Sequence, residues 1–220
     1  MKINRLALRL CMCALVLFRA LSLYADGKDS LSRKMIHMAG IDVKPAYVFP
    51  THEFFAGNNA TFSPIRKNLS VHLKYGFKFA PDTYFGRMYP HAVQGIGVGY
   101  NTFFHSSELG TPWSVYAFQT SRIASLTPRL SLDYEWNFGA SFGWKKYDAE
   151  SNPYNRVVGS KINAYIHLGF LLNWQLDAQT NLRAGIGATH FSNGNTAYPN
   201  AGVNTLGASI GLTRYFGGTS

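Results

Sequence analysis

Residues 130–144 read LSLDYEWNFGASFGW, and the two parities of that stretch differ in chemistry. Leu130, Leu132, Tyr134, Trp136, Phe138, Ala140, Phe142 and Trp144 are apolar, whereas Ser131, Asp133, Glu135, Asn137, Gly139, Ser141 and Gly143 are small or polar. Successive side chains of a strand point to opposite faces, so a period of two defines a two-faced strand; a helix would mix the sets. The same alternation runs through 69–79 and 162–175, and more weakly through 93–104, 112–120, 181–191 and 204–216. With 43–49 as the opening strand, the pattern predicts eight strands and an all-β fold.

A water-soluble sandwich would turn the apolar faces inward. The lengths favour the opposite arrangement, because the clearest faces approach the ~9 to 11 residues that a tilted transmembrane strand needs. Trp136, Trp144 and Trp174 are read as an aromatic girdle near strand ends. The small and polar face suits the narrow interior of an eight-stranded barrel. Its charges have both signs, Asp133 and Glu135 with Lys74, Lys78, Arg129 and Arg183, so they can neutralise one another. The expectation is an eight-stranded antiparallel transmembrane β-barrel with a plugged interior. Outer-membrane barrels have short periplasmic turns and longer external loops. Loops 50–67, 105–111, 148–159 and 192–203 then face outward, with 121–127 and 176–179 as short turns and 80–92 as a longer one.

Composition agrees with a barrel. The chain has 220 residues with 15% aromatic and 15% charged residues and 21 glycines, and its mean hydropathy of −0.08 argues against several helical spans. Residues 1–25 differ from the rest: Lys2, Arg5 and Arg9 precede a short apolar run around Leu15, and Ala25 precedes the charged stretch from Asp26 to Asp29. That layout predicts a cleaved signal peptide over 1–25 and a barrel domain over 26–220. The leader would carry away both cysteines, at positions 11 and 13, leaving no thiol for catalysis or metal binding. The remaining excess of basic residues points to anionic lipid rather than nucleic acid.

Nucleophile, base and amides concentrate in one place, Thr189-His190-Phe191-Ser192-Asn193-Gly194-Asn195, followed by Pro199-Asn200-Ala201-Gly202-Val203-Asn204. His190 and Ser192 lie two apart on a strand, so their side chains share a face about 7 Å apart at Cα. Their parity is that of Leu182, Ala184, Ile186 and Ala188, and Asn204 has the parity of Leu206, Ala208 and Ile210. In a barrel this face meets lipid, where polar groups are costly and therefore point to function. His190 can take the proton of Ser192 for attack on an ester carbonyl, with Asn193, Asn200 or the amides near Gly194 steadying the oxyanion. The alternative is that Ser and Asn cap a turn and His190 anchors at the interface.

The segment from His190 to Asn204 resembles the PagL-type lipid A 3-O-deacylases, eight-stranded outer-membrane esterases with a His-aromatic-Ser-Asn signature followed by Pro-Asn-x-Gly. His190, Phe191, Ser192, Asn193, Pro199, Asn200 and Gly202 match with unchanged spacing. The resemblance implies His190 as base, Ser192 as nucleophile, and Asn200 with the amides around Gly194 as oxyanion site. It also implies lipid A of lipopolysaccharide as substrate and the Gram-negative outer membrane as location. The family places a glutamate two residues after the glycine to orient the histidine; here that position is Asn204, and 178–220 contains no acid. Asparagine can orient imidazole through its oxygen but cannot offset imidazolium charge. Glu108, Asp148 and Glu150 remain as carboxylates that another loop could supply.

Arg66, Lys67, Lys145, Lys146, Arg156 and Lys161 fall at the expected outer rim, either as solvated charge or as partners for lipid A phosphates. Gly95, Gly97 and Gly99 alternate on a strand and are read as thin inward positions. His52-Glu53 lacks the second histidine of a zinc motif, so no metal and no cofactor are expected. Two other readings stand beside the esterase: a non-enzymatic barrel serving as anchor or adhesion surface, and a phospholipase or acyltransferase using the same dyad.

Overall fold

A computed structural model describes residues 35–217, so the expected signal peptide lies outside the described residues. Eight antiparallel strands close on themselves in sequence order: β1 (Met35–Val48), β2 (Lys67–Phe79), β3 (Val93–Thr102), β4 (Gly110–Thr127), β5 (Leu130–Trp144), β6 (Ile162–Gln175), β7 (Thr180–Ser192) and β8 (Val203–Phe216). Closure comes from β1 pairing with β8, with Ile41 opposite Leu212 and Val48 opposite Thr205. Two short helices interrupt the connections, α1 (Glu53–Ala56) and α2 (Tyr84–Met88). Closing the sheet removes every edge and satisfies the backbone within the barrel, which hydrocarbon demands.

The apolar parity faces out. Leu73, Ile96, Phe138, Ile166, Leu168, Phe170, Leu172 and Ile186 are all exposed on the barrel wall. The inner parity is buried and polar, the reverse of a soluble sandwich. At its centre Lys74 bridges Asp42 and Glu135, each at 2.5 Å, while Arg183 also pairs with Glu135 and Lys44 lies 3.8 Å from it. Toward the outer end an aromatic column fills the lumen. Phe191 packs on Trp144 and Tyr165 at ring distances of 5.1 and 5.5 Å, and Tyr165 packs on Tyr116 at 5.0 Å. The inward glycines make room for this column: a Cβ on Gly97 would lie 2.4 Å from the Tyr116 ring, and one on Gly99 would lie 2.5 Å from the His72 ring.

Several sequence expectations need correction. The first strand starts at Met35, not near 43, because its inner face carries Met38, Gly40, Asp42 and Lys44, which hide the alternation. Residues 121–127 belong to β4; register shifts between Arg122 and Ala124 and between Ser125 and Thr127 break the pattern there. The turn is thus only Pro128-Arg129, and Arg129 is exposed instead of sharing the inner ionic cluster. Lys78 sits over the Tyr215 ring at 5.0 Å and not against a carboxylate. Trp144 is buried within the lumen, because Gly143 at φ +90° turns the strand over just before it.

The external loops pack into a cap. Phe54, Phe55, Ile65, Leu109, Val157 and Val158 are buried beneath it. Buried Glu108 accepts from the Ala60 N–H at 2.9 Å, and its backbone carbonyl accepts from the side-chain amides of Asn152 and Asn155. His52 caps α1, its Nδ1 accepting from the Phe54 N–H at 3.1 Å.

Candidate active site

Strand β7 ends in His190-Phe191-Ser192 and β8 begins with Val203-Asn204. The register sets His190 directly opposite Asn204 and Phe191 opposite Val203. Residues opposite one another in an antiparallel pair project from the same face, so His190 and Asn204 meet on the outside of the wall. Phe191 and Val203 are buried inside, whereas His190, Ser192 and Asn204 are half-buried. The His190 Nδ1 lies 2.7 Å from the Asn204 Oδ1. An amide oxygen only accepts, so this contact places the proton on Nδ1 and leaves the Nε2 lone pair free as a base. Ser192 projects on the same side, with no direct hydrogen bond to His190 in this conformation.

The loop between the strands is held by its own amides. The Asn193 N–H donates to the Asn200 Oδ1 at 3.0 Å, the Asn193 side-chain amide donates to the Ala197 carbonyl at 2.8 Å, and that of Asn200 donates to the Asn195 Oδ1 at 3.0 Å. Both donor groups of Asn193 are therefore committed within the loop. Gly194 and Asn195, each at φ +62°, expose backbone N–H groups that the loop does not use, and a Cβ on Gly194 would meet only open space. Gly202, at φ +73°, lies close behind the histidine: a Cβ there would lie 3.2 Å from His190 Cε1 and 3.7 Å from Ser192 Cβ. Its N–H donates to the Val157 carbonyl at 3.2 Å, tying the site loop to the cap.

None of the remote carboxylates takes the orienting position. Glu108 is buried under the cap on Ala60. Asp148 accepts from the Ser151 N–H and hydroxyl and from the Glu150 N–H, bonds that hold its carboxyl below the usual range. The rim cations divide. Arg66 is spent on the Phe55 and Ile65 carbonyls, and Lys145 reaches the Ser107 carbonyl at 3.1 Å. Lys67, Lys146, Arg156 and Lys161 are exposed at the outer end. Lys161 lies just before β6, whose Ala164 pairs with Ser192, and Arg156 precedes Val157, whose carbonyl accepts from the Gly202 N–H. The aromatic support behind Phe191 is invisible in the alternation of residues, because Trp144 changes face only through the backbone of Gly143.

The architecture is that of an outer-membrane β-barrel, with His190, Ser192 and Asn204 together on the outer face of its wall. A family model described as lipid A 3-O-deacylase (PagL) matches residues 95–213, more than half of the chain, and the chain belongs to that family. Among solved structures it is similar to the outer membrane enzyme PagL, with 13% identity, a TM-score of 0.51 and coverage of 78% of this chain and 97% of that one. It is equally similar in shape to Neisserial surface protein A, with 9% identity, a TM-score of 0.50 and coverage of 83% and 96%. At such identities the structural likenesses speak for the fold alone. No curated protein sequence matches the chain.

Proposed function

We propose that the protein is a serine esterase of the Gram-negative outer membrane that removes the 3-O-linked acyl chain of lipid A, exported by a signal peptide cleaved after Ala25. The observation that carries this reading is the 2.7 Å contact of His190 Nδ1 with Asn204 Oδ1 on the face shared by Ser192. Membership in the lipid A 3-O-deacylase family supports the substrate.

In this mechanism His190 Nε2 accepts the Ser192 proton as Oγ attacks the ester carbonyl. The resulting oxyanion is met by the free N–H groups at Gly194 and Asn195, with Asn200 and Asn193 shaping the loop that presents them. The imidazolium returns its proton to the departing sugar oxygen, and water then hydrolyses the acyl-serine, releasing the fatty acid. The substrate arrives along the lipid-facing wall with its acyl chains already in the bilayer. Lys161, with Lys67, Lys146 and Arg156, supplies cations at the level of its phosphates.

The rival is a barrel of the same family without enzymatic activity, favoured by the neutral Asn204 at the orienting position. Mass spectrometry of lipid A, after incubation of lipopolysaccharide with the refolded protein and with Ser192→Ala, separates the two. Loss of one hydroxyacyl mass with the parent alone supports the esterase. An unchanged lipid A spectrum from folded parent protein supports the rival.

A further inference from the structure

At the end of the barrel opposite the candidate site, the connection between β2 and β3 folds into α2. Its Thr83 cap accepts from the Gly86 N–H at 3.0 Å and donates to the Ala80 carbonyl at 2.7 Å. Gly86 presses on the strand end so closely that a Cβ would fall 1.9 Å from the Ala80 oxygen, which fixes the helix against the barrel. Despite this anchoring, Tyr84, Phe85, Met88 and Tyr89 are 64%, 52%, 52% and 56% exposed. Four large apolar side chains within six residues are uncovered on a segment that is not part of the wall.

Their placement identifies what covers them. Phe79 has the outward parity of Leu73 and Tyr75, and its ring packs on Phe85 at 5.3 Å and on Phe77 at 5.8 Å. The helix surface is thus continuous with the lipid-facing band. The same end of the wall carries His37 stacked between Tyr75 and Phe216 at 5.9 and 5.8 Å, with the Tyr75 hydroxyl 2.8 Å from His37 Nδ1. Amphipathic rings of this kind concentrate where headgroups meet acyl chains. Arg87, the basic residue in the last turn, is turned back onto the Asp82 carbonyl at 2.6 Å.

We infer that α2 is an interfacial anchor, lying in the phospholipid leaflet at the periplasmic end of the barrel with Tyr84, Phe85, Met88 and Tyr89 at the headgroup–acyl boundary. A short helix gains membrane affinity through the apolar area it buries. Here it extends the contact of β2 sideways and resists tilting or sinking of the barrel relative to that leaflet.

The test is a nitroxide label at Met88→Cys in the full chain with Cys11→Ser and Cys13→Ser, reconstituted in phosphatidylethanolamine–phosphatidylglycerol vesicles. Labels at Ile96→Cys on the wall and at Glu150→Cys in an external loop give the lipid and water references. Collision with oxygen should exceed that with a water-soluble nickel chelate, placing the Met88 label between the two references. A label at Tyr89→Cys should behave alike, which guards against misfolding of one variant. Accessibility equal to that at Glu150 overturns the inference. Dipolar broadening that disappears on dilution with unlabelled protein also overturns it, assigning the surface to a second copy of the chain.

Discussion

His190 and Asn204 face one another across the β7–β8 ladder, with imidazole Nδ1 2.7 Å from the amide oxygen. This neighbour relation fixes the ring and its tautomer without charge. A carboxylate at the same place would do both and also stabilise the imidazolium formed as Ser192 is deprotonated. In deacylation assays Asn204→Ala should therefore lose at least about tenfold in kcat through loss of orientation, while Asn204→Glu should gain about tenfold. Equal rates for all three proteins would remove Asn204 from the site.

Gly202 is required for a different reason. Its φ of +73° is open to glycine, and an added methyl would stand 3.2 Å from His190 Cε1. Gly202→Ala should cost about 1–2 kcal/mol in backbone strain and displace the imidazole, so activity should fall well beyond what the stability change explains. A variant that retains full kcat with a lowered unfolding midpoint would confine Gly202 to the loop.

Much of the wall was legible in the sequence because lipid outside and a polar lumen inside impose a strict period of two. The stretch 162–174 shows it on the outer face, with Ile166, Leu168, Phe170, Leu172 and Trp174 all exposed in the barrel, whereas the inner face mixes Asn163, His167 and Asn173 with buried Tyr165 and Leu171. The parity of His190, Ser192 and Asn204 was legible for the same reason. What escaped is where backbone geometry overrides parity: the shifts in β4 beyond Arg122, and the turnover at Gly143 that sends Trp144 inward. Side-chain partnerships across the lumen were only partly legible. Lys74 and Arg183 meet Glu135 over separations of 61 and 48 residues, and Asp42 and Lys44 lie on a part of β1 with little apolar alternation.

Breaking the ionic centre should cost the barrel heavily. Glu135 is 2% exposed and carries Lys74, Arg183 and Lys44, so its removal leaves buried cations short of a partner. Glu135→Ala should destabilise by about 3–5 kcal/mol, read as a lowered urea midpoint in vesicles. Asp133→Ala should cost clearly less, since its ion pair with Arg122 is 4.0 Å long and Arg122 is partly exposed. Indistinguishable midpoints for the two variants would show that the Glu135 cluster has no special weight.

Phe191 separates the two catalytic candidates along β7 and points the other way, into the lumen, where it packs on Trp144 at 5.1 Å and Tyr165 at 5.5 Å. Burying that ring inside holds the neighbouring positions outside, since a slip of one residue would exchange the faces. Phe191→Ala should cost about 3–5 kcal/mol through the cavity it leaves and should loosen the placement of both His190 and Ser192. Phe191→Leu, which keeps most of the volume, should recover most of the stability yet only part of the activity, because the edge-on ring contact with Trp144 and the tilted one with Tyr165 are lost. Paired measurements of urea midpoint and deacylation rate test this. If activity tracks stability alone across the two variants, the aromatic column supports the fold without positioning the site.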